Sequence, residues 1–137
     1  MIQRIQTIWL LLAGVAAFLT LKLPYYVGIQ DPTIPYHELT GITGGTLIML
    51  VTITVTVVAV VAIGLYKNRI TQLRLAVVGI VLEALLIFLY YRQVAAFTED
   101  TYALTAILHM CTVLFFVLAA RAINKDEKMV KDSDRLR

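Results

Sequence analysis

Glu83 is the residue that most demands a chemical account, because it stands in an apolar run from Leu75 to Tyr91 that holds no other charge. A carboxylate at bilayer depth costs at least about 2.5 kcal/mol on insertion scales, so it calls for a partner, a proton or a task. The chain has 2 histidines, His37 in a proline- and tyrosine-rich segment and His109 in an apolar one. Counted along helices at about 1.5 Å per residue, Glu83 and His109 come to similar depths, and Ala76, Gly79 and Ile80 on the Glu83 face suit a close helix contact. Thr54, Thr56 and Thr112 offer further hydrogen bonds, which completes a candidate intramembrane polar site. Its sharp use is proton exchange, as in small transporters that swap a proton for a cationic substrate. Its plain use is a neutral or hydrogen-bonded Glu83 that locks helix packing, since burial penalises a charged carboxylate.

Other chemistries lack their residues. Cys111 is the single cysteine, so a disulfide-generating pair would need a second chain. Bis-histidine haem ligation needs two intramembrane histidines, and His37 falls outside the spans. No HExxH, phosphate-binding loop or glycine-rich dinucleotide fingerprint occurs, and the sole serine, Ser133, lies near the C-terminus. The sequence therefore predicts no catalytic residue, no metal site and no cofactor.

The elements that would position Glu83 follow from composition. The chain has 137 residues, of which 60% are hydrophobic and 15% charged, and its mean hydropathy is +0.83. A soluble domain of this size has no interior large enough to hide so much apolar surface. Four segments approach the roughly 20 apolar residues that a crossing needs: Ile5 to Leu23, Ile42 to Tyr66, Leu75 to Tyr91 and Tyr102 to Ala120. The first resembles a signal peptide in its short basic start, but it is longer than the usual apolar core and lacks a clear small-x-small site, so its retention is expected. In the second, Thr52, Thr54 and Thr56 alternate with Ile53, Val55 and Val57, yet its length exceeds the roughly 9 to 11 residues of a barrel strand, and it is read as a helix.

Positive charge sets the orientation. Arg4, the loop residues Lys67, Arg69 and Arg74, and Arg121, Lys125, Lys128, Lys131, Arg135 and Arg137 fall on one side, against only Lys22 and Arg92 on the other. Both termini are accordingly placed in the cytoplasm. The outer loop 24–41 carries Pro24, Pro32, Pro35, Tyr25, Tyr26 and Tyr36 with Asp31 and Glu38, and is expected to form a folded cap at the membrane surface. The tail, 121–137, mixes basic and acidic residues with Ile123, Met129, Val130 and Leu136 at near-helical spacing, and reads as a continuation of the fourth helix. Nucleic acid is not an expected partner, for want of a dense basic patch or stacking platform.

The opening MIQRIQTIWLLLA and the closing LAARAINKDEKMVKDSDRLR resemble the two ends of a bacterial family of small four-helix membrane proteins, catalogued as domain of unknown function, number 4293. The resemblance implies a multi-pass protein of a bacterial inner membrane and carries no assigned activity. It also draws attention to the cytoplasmic ends, where Gln3, Arg4, Arg121, Asp126, Glu127, Asp134 and Arg135 are candidates for a fold clasp or a docking site.

The expected architecture is thus an all-α integral membrane protein: one four-transmembrane-helix up-down bundle, both termini cytoplasmic, with a cytoplasmic helical tail. The expected role is non-catalytic, that of an accessory or scaffold subunit docking a larger membrane complex through those ends. The alternative is a small proton-coupled transporter or ion-binding bundle using Glu83 and His109. Besides the lipid bilayer, the expected partners are another membrane protein or a second copy of the chain.

Overall fold

The computed structural model describes residues 2–29, 33, 37–97 and 99–137, without the side chains of residues 2–4, 99 and 100. Most of it is helix: α1 (Ile2–Leu19), α2 (Thr46–Gly64), α3 (Arg69–Val94) and α4 (Ile107–Arg135), the last entered through a 3-10 turn at Leu104–Ala106. Three helical stretches, Thr46–Gly64, Arg69–Val94 and Leu104–Arg135, are long and apolar enough to cross a membrane, and Ile5–Leu19 is a shorter apolar helix. These helices point to a membrane protein.

Each helix buries one stripe. On α3 the buried residues are Gln72, Ala76, Gly79, Glu83, Leu86 and Tyr90, and on α4 they are His109, Thr112, Phe116, Ala119, Ile123 and Asp126. Both sets advance by threes and fours, the repeat that keeps a seam facing its neighbours. The outward face of α3 carries Val77, Val81, Leu85 and Phe88, all exposed, which is the surface that lipid tails would cover. α1 packs on α2 and α4, and α3 packs on the same two helices. Contacts run in opposite order along consecutive helices: Gln72 of α3 reaches Ala62 of α2, while Gln93 reaches Gly44.

Small residues let these backbones approach. Leu10, Ala13, Val55, Ala59, Ala62, Ala76 and Ala119 are all 0% exposed. At Gly79 the approach is closest, because a Cβ there would lie 2.6 Å from Cε1 of the Phe116 ring. With no hydrophobic drive between helices in lipid, such contact is what association depends on.

The helix ends differ from the sequence expectation for local reasons. α2 starts at Thr46 rather than Ile42, since residues 40–45 form a turn in which Thr40 N–H donates to the Thr43 hydroxyl and Gly45 takes φ 100°. That left-handed backbone suits glycine. α3 starts at Arg69 rather than Leu75, with the Asn68 side chain accepting from Thr71 N–H at its N-terminus. α4 starts at Ile107 rather than Tyr102 and runs without a break through Arg135, so the tail is a continuous extension of the helix.

The all-α expectation needs correction. The two connections on the side opposite the tail form a three-stranded antiparallel sheet in the order β2-β1-β3, made of β1 (Tyr26–Ile29), β2 (His37–Leu39) and β3 (Glu99–Tyr102). Tyr26 of β1 lies opposite Leu39 on one side and Tyr102 on the other. Its ring is buried against Phe97 and Tyr102, at centroid separations of 5.2 and 4.9 Å. A cap was expected there, but as a loop: strands of three and four residues are too short to show an alternating pattern, and β3 opens with two acids. Asp31, Pro32, Pro35 and Tyr36 lie outside the described residues.

The close contact at Gly79 generates a prediction. Gly79→Ala forces the buried Phe116 ring to move and is expected to destabilise the bundle by about 1–3 kcal/mol. Gly64→Ala, at a position where a Cβ meets nothing within 4 Å, is expected to be neutral or slightly stabilising. Thermal unfolding of both variants in detergent micelles checks the contrast.

Candidate functional site

Glu83 and His109 meet. The stripes of α3 and α4 face each other, and His109 Nδ1 lies 2.6 Å from Glu83 Oε1, with both side chains at most 2% exposed. The contact is a buried side-chain hydrogen bond in which the imidazole tautomer decides which atom donates. Among the described residues, the second carboxylate oxygen, Glu83 Oε2, has no hydrogen-bond partner, and neither has the buried hydroxyl of Tyr90. The Tyr90 hydroxyl lies close to Thr52 and within electrostatic reach of Glu83.

Three tyrosines close the pair off from the sheet end. Tyr25 stacks on Tyr90 with centroids 4.6 Å apart and planes 16° from parallel. It also meets the His109 ring edge-on at 5.3 Å and the Tyr102 ring edge-on at 5.9 Å. Tyr90 lies 5.0 Å from His109. Tyr25 is held in place by its backbone: its N–H donates to Leu39 O, and its carbonyl accepts from Ala103 N–H. The Thr105 hydroxyl donates to the carbonyl of Pro24. Partial burial and the neighbouring Tyr102 raise the Tyr25 phenol above its ordinary pKa, so it stays protonated at neutral pH.

The threonines divide differently from the expectation. Thr54 is exposed and donates to its own helix at Leu50 O, and Thr56 donates to Thr52 O. Neither is brought to the pair. Thr52 is the α2 threonine that faces it. Alternation along the sequence could not choose among the three, because only helical phase decides which one turns inward. Thr112 is buried one turn beyond His109 and donates to Leu108 O.

The tail-end cluster is also rearranged. Arg69, from the start of α3, places Nε 3.3 Å from Oδ2 of the buried Asp126, a partly buried ion pair without hydrogen-bond alignment. Glu127 pairs within its own helix with Lys131 at 2.7 Å. Arg121, Asp134 and Arg135 are exposed, and the side chains of Gln3 and Arg4 lie outside the described residues. The clasp on the tail acid thus comes from the hairpin between α2 and α3. Two further amides are buried: Gln72, which donates to Ala62 O, and Gln6, which among the described residues has no hydrogen-bond partner for either amide atom. Stepping by fours and threes from Glu83 reaches Gln72 and Tyr90, so the signal for those two was present.

Among the described residues no three His, Cys, Asp or Glu side chains converge as a metal site. Cys111 is half-buried and unpaired. The fold and site define a class: a mostly helical protein of membrane type, capped by a small sheet, with a carboxylate–imidazole pair in its core. The chain matches the family model described as domain of unknown function (DUF4293) over residues 2–136, and it belongs to that family. No curated protein and no solved structure matches it.

The pair yields a graded test. Glu83→Ala leaves the buried imidazole without its acceptor and is expected to cost about 1–3 kcal/mol of stability. Glu83→Gln retains an amide oxygen to accept and should cost less. Tyr90→Phe removes a hydroxyl that lies beside Thr52 without bonding the pair, and should cost least of the three. Equal losses across the series, read by thermal unfolding in micelles, would contradict the assignment.

Proposed function

We propose that this protein is a non-catalytic accessory subunit of a bacterial inner membrane, crossing it four times with both termini in the cytoplasm, and that it docks a larger membrane complex through the end of α4. The observation that carries this reading is the free length of that helix. Asp126 is its last buried residue, yet the helix continues to Arg135, and every residue from Lys128 onward is exposed. A helical stretch of this length has little stability of its own in water. It gains most from a surface that covers Met129 and Val130, which are 40% and 42% exposed.

The surroundings favour a protein partner with an acidic, partly apolar surface. Lys128, Lys131 and Arg135 recur at three- and four-residue steps along the overhang, with Lys125 just before it. Between the overhang and the α2–α3 hairpin lies a cleft of about 450 Å³ lined by Tyr66, Lys67, Arg69, Ile70, Val130 and Lys131, among others. It combines cations with apolar side chains, the make-up of a helix-in-groove contact with a charged rim. The distribution of Lys and Arg supports the cytoplasmic placement of this end.

Truncation after Asp126 keeps the Arg69–Asp126 clasp and removes only the overhang. The shortened chain is expected to fold and insert as the full chain does, and to lose co-purification of its partner from native membranes in mild detergent. Retention of every partner by the shortened chain would refute the docking reading.

A further inference from the structure

We propose that Glu83 and His109 form a site for one exchangeable proton, loaded from the sheet end of the bundle and sealed from the tail end. This is independent of the docking reading and rests only on the helices lying in a membrane.

The hydrogen count at the pair leaves room for one more proton than the contact itself needs. The 2.6 Å contact between Nδ1 and Oε1 needs one hydrogen between them. If the pair holds that hydrogen alone, it is a neutral imidazole against a carboxylate, and its net charge is one negative unit. A net charge at this depth is costly, and among the described residues Glu83 has no ion-pair partner except His109. Uptake of one proton from water brings the pair to zero, either as imidazolium with carboxylate or as neutral imidazole with carboxylic acid. The added proton sits on His109 Nε2 in the first case and on the Glu83 carboxyl in the second. The unpartnered Glu83 Oε2 and Tyr90 hydroxyl, beside Thr52, leave polar capacity for that second form.

The groups facing the pair from each packed element are few. α2 contributes the Thr52 hydroxyl, α3 contributes Tyr90, the segment after α1 contributes Tyr25, and Tyr102 of β3 stands one ring further out. None of these side chains carries a charge at neutral pH that could neutralise the carboxylate.

Access is one-sided. Towards the tail, the Phe116 ring packs on Gly79, and Leu10, Ala59, Ala76 and Ala119 are all 0% exposed. A layer of this kind offers water no partners and stays dry. Towards the sheet, the Tyr25 ring touches both His109 and Tyr102, and Tyr102 is 52% exposed. Two hydroxyl-bearing rings therefore line the sheet side, whereas on the tail side the Thr112 hydroxyl donates to Leu108 O and the apolar layer around Phe116 and Gly79 comes before Gln72 and Gln6.

The test uses the full chain in sealed phosphatidylcholine vesicles, uniformly oriented as judged by protease access to the tail, and infrared difference spectroscopy with isotope-labelled histidine. Acidifying the sheet side alone is expected to produce a carboxylic-acid or imidazolium band; acidifying the tail side alone is expected to produce none. Glu83→Gln should abolish the band and His37→Gln should leave it unchanged. The absence of any such band over the pH range in which the protein stays folded would overturn the proposal, as would a band evoked from the tail side. Sidedness is read on the unmodified chain, so it holds even if Glu83→Gln fails to fold.

Discussion

A polar group inside an apolar bundle must find its partner within the chain, and the contact between Glu83 and His109 is where this constraint acts most strongly. It fixes the relative rotation of α3 and α4, because a shift of one residue on either helix would carry one group of the pair into lipid. It also fixes their axial register, since the bond tolerates little change in length. With that register set, Gly79 comes under Phe116, Tyr90 comes beside His109, and Tyr25 has a ring to stack on. Specification by one buried polar contact has a parallel in coiled coils, where a single polar core residue selects register at some cost in stability.

Packing supplies what polar contacts do not. The middle of the bundle is lined by alanine and glycine, so the helices meet at short range and gain dispersion energy over their whole length. Apart from Thr112, which bonds its own helix, and Thr20 and Thr40 near the sheet, the buried polar groups of the described residues fall at two levels on either side of this layer. One holds Glu83, His109, Thr52 and Tyr90; the other holds Gln6, Gln72 and, at the rim, the Arg69–Asp126 pair. The separation gives the molecule a chemically distinct sheet end and tail end, although all of its helices are built from similar residues.

How much of this was legible in the sequence depends on the range of the information. The helices and the pairing of Glu83 with His109 were readable, because hydropathy is local and a lone intramembrane acid limits its own partners. Arg69 and Arg74 belong to α3 rather than to the loop that their charge suggests, because long side chains at a helix end reach water without leaving the helix. Thr54 and Thr56 were preferred to Thr52 because composition gives no helical phase. The sheet could not be read at all: Tyr25 and Tyr26 owe their placement to Leu39, Tyr102 and Ala103, and no local pattern in 24–41 or 92–101 records such distant pairing.

The strand order carries a consequence for assembly. β1 comes from the first connection and is the central strand, so it needs β3, from the last connection, before its second edge is bonded. Until α3 has returned the chain to the sheet end, Tyr25 lacks Tyr90 to rest on, and one row of β1 amides stays open to water. The sheet can therefore close only after α3 has brought β3 back beside β1, which ties the bonding of the central strand to the packing of the first three helices.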